Sequence, residues 1–455
     1  MAASPPHLRQ VLRLWDATCV VVGAIIGVGI FFNPRDVATL TGSAPRALLA
    51  WALGGLIALL GAFTFAELGR LRPVAGGQYH VLRDTYGRLP AFLFVFCNLT
   101  AIQAGAVAII AIVCAQHLGV ALHGQDPSAR WVLVMATVFC WALVALNVLG
   151  VRTGAKVQNV TVIAKLLTLG ALVVLAAIVK PGAGVPVAPA APAAPAHLSG
   201  LFAGMALTLF AYGGWQQAMW VAGEVVDARR TVPRAILLGV GIVIVAYLAA
   251  NWAYLDLLGF DGVRHAKALV ADAFSVAWPG VGRRIAAAAV AASAFGVLNA
   301  QFLTGPRLTW AMASDGLFFA PFARILEPFD TPAAAILLLG ALATALVLGL
   351  GLDRTDLLTT GVVVVDSVFF ALSGLALPAL RRRTPAAERG PAWLDAAAIA
   401  FAALELLAIV GSVLERNVRV VALTGLAWIG VAALVWAVWF RGRPAPARTD
   451  APAGG

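Results

Sequence analysis

Apolar runs of about 20 residues, long enough to cross the hydrocarbon core of a membrane as helices, recur along almost the whole sequence. No other feature constrains the fold as strongly. The runs, numbered here as spans 1 to 12, cover residues 15–33, 47–69, 90–119, 131–150, 157–179, 201–222, 235–258, 285–311, 333–352, 357–380, 394–413 and 420–440. The breaks between them are short and polar, which leaves no room for a separate soluble domain. The sequence therefore predicts an all-α integral membrane protein with about twelve transmembrane helices.

Composition supports this fold class. Hydrophobic residues make up 61% of the chain and charged residues only 12%, whereas a soluble domain carries about 25% charged residues. Span 1 ends in Phe31-Phe32-Asn33-Pro34 without a small-residue cleavage site, so we interpret it as a retained helix and not a signal peptide.

The formal net charge of +11 is explained by loop charge, so no nucleic-acid partner is expected. With the amino terminus placed inside, about 19 Lys and Arg residues fall in inner loops and about 11 in outer loops. This bias predicts a multi-pass protein of the cell membrane, plasma or inner, with both termini in the cytoplasm. The loop 256–284 carries four of the outer charges and fits the bias least well.

The predicted organisation has four parts. They are a cytoplasmic segment 1–14, a ten-helix transport core 15–380, two peripheral helices 391–440 and a disordered cytoplasmic tail 441–455. The Pro-rich stretch 181–197 is expected to be an extended external loop. The four cysteines, Cys19, Cys97, Cys114 and Cys140, all lie in apolar runs and resemble buried apolar residues. We expect no disulfide, metal site or cofactor.

Spans 1 and 6 carry glycines near their middles, in GAIIGVGIF and FAYGGW. Paired interruptions five spans apart are typical of an inverted repeat of two five-helix halves. A helix that unwinds near Gly27 and Gly29 would leave backbone N–H groups free at the start of the next half-helix, where a carboxylate can bind. The alternative is a small-residue packing face, because Gly23 and Gly27 are four residues apart.

The second interruption offers the complementary chemistry. Free carbonyls of Phe210 and Ala211 would accept hydrogen bonds from an ammonium group, beside the aromatic rings of Tyr212 and Trp215. The alternative is an aromatic packing cluster. Two polar backbone sites that face each other would suit a zwitterion.

Four motifs in order resemble the amino acid–polyamine–organocation (APC) superfamily, and within it the L-type amino acid transporters and their bacterial relatives. They are VVGAIIGVGIFFNP, FAELGRLRPVAGGQYHVLRDTYGRLPAFL, FAYGGWQQAMWVAGEVVDARRTVPRAI and SAFGVLNAQFLTGPRLTWAMASDGLFFAPF. The resemblance covers about residues 15–330. It implies a LeuT-like fold, a 5+5 inverted repeat plus two peripheral helices.

The resemblance also implies roles for individual residues. The N–H groups of Ile26, Gly27, Val28 and Gly29 would hold the substrate carboxylate. The carbonyls near Ala24, Ile25, Phe210 and Ala211 would hold its ammonium group. Phe210 would gate the site, Tyr212 and Gly213 would also bind the substrate, and Trp215 and Gln216 would border the side-chain pocket. Two positions depart from the family pattern: Val28 replaces a small hydroxyl residue, and Ser314 replaces a basic residue.

Lys165 lies inside span 5, where a lysine at mid-membrane costs about 2.5–3.5 kcal/mol on insertion scales. It matches the family's span 5 lysine, whose ammonium stands where sodium-coupled relatives hold sodium. The alternative is a lysine that snorkels to the interface. Glu67 is interpreted as an interfacial charge, and Asp366 and Glu405 receive no role.

The sequence thus predicts a sodium-independent secondary transporter of amino acids, working by exchange or by proton symport, and not an enzyme. Its partners would be an amino acid substrate, the lipid bilayer and, for symport, a proton. The alternatives are a membrane-embedded enzyme and a non-transporting amino acid sensor on the same fold. Neither the particular amino acid nor the oligomeric state is predicted.

Overall fold

The computed structural model of this protein describes residues 8–179, 198–266, 268–350, 355–414 and 419–442. Within these ranges the chain is built from helices, and nine of them are long and apolar enough to cross a membrane. A bent pair at span 1 and two shorter apolar helices, Gly200–Leu209 and Ala333–Gly349, account for the other three predicted spans. The predicted all-α membrane fold is therefore confirmed.

The helices follow the predicted apolar runs in order. Spans 1 to 6 are Leu14–Ile25 with Gly29–Thr41, Ala44–Leu71, Arg88–His123, Ala129–Val148, Val151–Ile178, and Leu198–Tyr212 with Gln217–Trp220. Spans 7 to 12 are Ala228–His265, Gly282–Ser314, Ala333–Leu350, Thr355–Arg383, Trp393–Leu414 and Arg419–Trp439. Shorter helices lie between them, at Gly77–Tyr86, Ala222–Glu224, Leu269–Ser275, Ala320–Ala323 and Ala386–Glu388.

Three spans are irregular. Span 3 contains a π-helical stretch at Asn98–Gln103, and span 7 has one non-helical residue, Gly259, with φ 70°. That residue ends the regular helix where the sequence predicted the end of span 7, at position 258. Span 1 runs further than predicted, to Thr41, and Pro34 lies inside its second half without ending the helix.

Span 1 packs against several other spans. The first half of span 1, Leu14–Ile25, packs against spans 5, 7 and 8, and its second half, Gly29–Thr41, packs against the first half of span 6, Leu198–Tyr212. The most apolar stretch of span 8 is 72% buried, whereas those of spans 11 and 12 are only 22% and 17% buried. The last two helices therefore form the periphery of the bundle in this structure.

A buried amide network fixes span 8 against spans 4 and 5. The Asn299 amide donates to the Gly154 carbonyl at 2.9 Å and to Gln158 Oε1 at 2.8 Å, and it accepts from Asn147 at 3.2 Å. Because amides inside a membrane have few other partners, such a network holds helices in one register.

Several predictions fall outside the described residues. These are the external loop 181–197, the first seven residues of segment 1–14, and nearly all of the tail 441–455. The four cysteines lie buried, as predicted.

Candidate substrate site

Span 1 is interrupted at residues 26–28, and its two halves meet at an angle of 44°. The N–H groups of Val28, Gly29 and Ile30 have no acceptor among the described residues. They lie at the start of the second half-helix, where the helix dipole favours an anion. The N–H groups of Ile26 and Gly27 are engaged instead, donating to the Val22 and Ile25 carbonyls of the first half at 2.8 and 2.7 Å.

The glycines of span 1 have different environments. A Cβ built on Gly23 would lie 1.7 Å from the Gln158 amide nitrogen, so this glycine allows span 5 to approach closely. A Cβ on Gly27 would make only ordinary contact, 3.6 Å from Val297. The packing alternative therefore applies to Gly23, and the pair does not act as one packing face.

Span 6 is interrupted at residues 213–216. Gly214 has φ +129°, a conformation that L side chains rarely adopt. A Cβ on Gly214 would lie 2.9 Å from the Ala24 carbonyl carbon and 3.0 Å from the Ile25 nitrogen. Glycine is required here because the backbones of spans 1 and 6 touch.

The two interruptions face each other, and Tyr247 of span 7 joins them. Its hydroxyl lies 3.0 Å from the Ile25 carbonyl oxygen and 3.2 Å from that of Ala211, within hydrogen-bond distance of both. A Cβ on Gly29 would lie 3.3 Å from the Ala211 Cβ. The structure thus brings the unpaired N–H groups of span 1 beside the carbonyls of spans 1 and 6. Sequence reasoning missed Tyr247, which looks like any other tyrosine in an apolar run.

Lys165 reaches the interruption of span 1 from span 5. Its side chain is 1% exposed, and its ammonium group donates to the Gly23 carbonyl at 3.0 Å and the Ile26 carbonyl at 2.6 Å. A Cβ on Gly296 of span 8 would lie 3.0 Å from the Lys165 Cε. The lysine does not snorkel: its side-chain nitrogen lies on the carbonyls where the first half of span 1 ends.

The aromatic residues of span 6 are mostly packed away from the interruption. The Tyr212 hydroxyl donates to the Trp51 carbonyl at 3.2 Å, and the ring of Trp215 stacks on Phe370 with a centroid distance of 5.9 Å. The packing alternative therefore describes these two rings in this structure. The Phe210 side chain, predicted as a gate, lies outside the described residues.

Gln216, predicted to border the side-chain pocket, is buried, and its Oε1 has no donor among the described residues. Glu67 is held by Arg70 at 2.7 Å and by Arg381 at 3.5 Å, so it belongs to an ion-pair network at the end of span 2.

The helix Gly77–Tyr86, between spans 2 and 3, contacts the end of span 8 through Asp315. The Asp315 carboxylate accepts from the Tyr79 hydroxyl at 2.8 Å and also pairs with Arg83. The contact is made despite Ser314, which replaces the family's basic residue. Burial, together with the positive charge of Arg83, lowers the pKa of His80 in this helix to about 4.

The matching family confirms the resemblance seen in the motifs. A family model described as amino acid permease matches residues 12–438. The chain belongs to the amino acid permease family. This permease is 28% identical to the serine/threonine exchanger SteT of Bacillus subtilis (strain 168) over 389 residues, 84% of this chain and 86% of the relative.

Two mammalian relatives are also similar. The human b(0,+)-type amino acid transporter 1 is 30% identical over 345 residues, 74% of this chain and 69% of the relative. The human large neutral amino acids transporter small subunit 2 is 31% identical over 336 residues, 72% of this chain and 62% of the relative. The permease is thus a multi-pass membrane protein of a family of transporters, which rules against the enzyme alternative.

Proposed function

We propose that this permease exchanges amino acids across the cell membrane without sodium. The observation that carries the proposal is the ammonium group of Lys165 on the Gly23 and Ile26 carbonyls. In transporters with interrupted helices, unwound carbonyls at mid-membrane are where a coupling cation binds. Here a covalently attached cation occupies such carbonyls, so no dissolved cation is needed to complete the site.

The substrate would bind as a zwitterion between the two interruptions. Its carboxylate would accept hydrogen bonds from the free N–H groups of Val28, Gly29 and Ile30. Its ammonium group would approach the Ala211 carbonyl, which the Tyr247 hydroxyl holds in place, because the Ile25 carbonyl already accepts from both the Gly27 N–H and the Tyr247 hydroxyl. Both functional groups of the amino acid would then be recognised by backbone atoms.

The gate and the orientation remain as the sequence predicts them. Phe210 would cover the bound substrate, and both termini would face the cytoplasm because the basic residues are concentrated on that side. Exchange is favoured over proton symport by one relative, the bacterial protein named a serine/threonine exchanger.

Transport into proteoliposomes tests the proposal. Vesicles in sodium-free potassium buffer would be preloaded with unlabelled serine, threonine, alanine or leucine, and uptake of the same labelled amino acid would be measured. We expect uptake into preloaded vesicles and almost none into empty ones.

Two further arms separate the mechanisms. Uptake into empty vesicles that depends on an acid exterior would replace exchange by proton symport. A strict need for sodium would contradict the proposed role of Lys165. Amino acids that bind the purified protein but never cross the membrane would indicate the sensor alternative.

A further inference from the structure

A fully buried ion pair joins spans 6 and 8 at one face of the bundle. Glu224 follows the short inner segment of span 6, and Arg307 lies near the end of span 8; both side chains are 0% exposed. Arg307 Nε donates to Glu224 Oε2 at 3.0 Å, and its Nη2 donates to Oε1 at 2.9 Å. Removing one partner of such a pair leaves an uncompensated buried charge.

The segment that leads into span 1 is tied to the same glutamate. The Glu224 carbonyl accepts hydrogen bonds from the N–H groups of Val11 and Leu12, each at 2.9 Å. The Leu12 carbonyl in turn accepts from the Val226 N–H at 2.9 Å, and the Leu12 side chain is buried. Glu224 therefore connects the start of span 1 to span 6 through its backbone and to span 8 through its side chain.

The loop after span 2 also contacts this junction. The Gly76 N–H donates to the Trp220 carbonyl at 2.8 Å, and its φ is +71°. A Cβ on Gly76 would lie 2.6 Å from the Ala311 Cβ and 3.3 Å from the Arg307 carbonyl oxygen. The start of span 1, the loop after span 2 and the ends of spans 6 and 8 thus meet around Glu224 and Arg307.

We propose that Glu224 and Arg307 form a latch that closes the substrate path at the inner face and must separate for substrate to leave there. The inference rests on the proposed transport function, and the face is the cytoplasmic one in the orientation given above. The inner halves of spans 1 and 6 are both held by Glu224, so neither can swing away from span 8 while the pair is intact.

The chemistry of the latch suits a step that must reverse. An apolar seal would resist opening because water would meet newly exposed hydrocarbon. The two charges of an ion pair are hydrated when water enters, and this hydration offsets much of the lost attraction. The ion pair can therefore keep the substrate path closed while it is shielded from water, and it can separate once water enters the path.

Accessibility of a buried cysteine tests the latch. Ala218→Cys places a thiol in the inner segment of span 6, where the native side chain is 0% exposed. Its labelling by a membrane-impermeant thiol reagent would be followed from each side of the membrane, without substrate. The parent with its four buried cysteines gives the background.

We expect Glu224→Gln to speed labelling from the inner face by at least about tenfold. The Arg307 charge then has no charged partner while buried, so its free energy falls when it reaches water. Labelling from the outer face should not rise. The KM measured from the inner side should fall relative to the KM from the outer side, since the inward-open form becomes more populated. A merely structural loss would lower activity from both sides alike.

Controls keep the test decisive. Glu388→Gln breaks an exposed ion pair with Arg229 and should change neither readout. Val11→Pro removes one backbone donor to Glu224 and should speed inner labelling even if Glu224→Gln does not fold. Unchanged inner labelling in a folded variant, or an equal rise in Glu388→Gln, would overturn the latch. Because labelling needs no substrate, a permease that fails to transport would refute the proposed function and leave the latch to be judged on accessibility.

Discussion

Replacing Lys165 by methionine removes the charge and keeps most of the side-chain volume. The variant loses two hydrogen bonds from a charged donor, each worth about 1.5–3 kcal/mol. It also no longer buries an ammonium group, which costs several kcal/mol by itself. These effects oppose each other, so we expect the Tm to change little, while the Gly23 and Ile26 carbonyls lose the donor that fixes them.

The functional loss should be much larger than the loss of stability. With the interruption of span 1 no longer held, substrate binding must itself order the backbone. If that ordering uses only half of the lost hydrogen-bond energy, about 1.5–3 kcal/mol, affinity falls roughly 10- to 100-fold. Substrate-induced Tm shifts give the affinity, and exchange in sodium-free proteoliposomes gives the rate.

A matched control lies on the same helix. Lys156 is exposed, so Lys156→Met removes an equal charge without touching the interruption and should behave like the parent. A folded Lys165→Met permease with parental affinity and exchange rate would refute the reasoning, and so would wild-type transport that requires sodium.

Three further predictions concern the substrate site and the helix Gly77–Tyr86. Gly214→Ala should lower the Tm and weaken binding at least tenfold, because its Cβ meets the span 1 backbone at a positive φ; Gly241→Ala, in open space on span 7, should do neither. Tyr247→Phe should keep the fold and weaken binding about tenfold, measured by ligand-induced Tm shifts, since two carbonyls lose their shared donor. Stability should fall as the pH is lowered from about 6.5 toward 4, because His80 stays neutral in the folded protein and takes up a proton when the protein unfolds. His80→Gln should flatten this part of the plot of Tm against pH. A plot that the substitution leaves unchanged would contradict the lowered pKa of His80.

The membrane fold could be predicted from sequence because crossing a bilayer imposes a length and an apolar character on every helix. The two interruptions could be located because glycine is the residue that tolerates close backbone contact, as Gly214 does against span 1. Lys165 was identifiable because a charge within an apolar run requires a partner. Each of these physical requirements restricts the residue types within one short segment, so it can be recognised from that segment alone.

The contacts that depend on how helices meet could not be predicted. Whether Ile26 or Ile30 offers a free N–H depends on where the second half of span 1 begins, and packing decides this. Tyr247 carries no mark that separates it from a lipid-facing tyrosine. Glu224 and Arg307 lie within the motifs that show the resemblance, but they are 83 residues apart in sequence, and only the folded chain pairs them.

In the proposed mode of binding, main-chain atoms hold both charged groups of the amino acid, and this has a consequence for how substrate preference can evolve. Main-chain N–H and carbonyl groups are common to all residues except proline, which lacks the N–H, so most substitutions cannot delete them. Mutations that reshape the cavity around the amino acid's side chain would leave recognition of its carboxylate and ammonium groups in place. The preferred substrate of such a transporter can change from one amino acid to another through variants that all still transport. Only the few positions that must stay glycine cannot be substituted on the way.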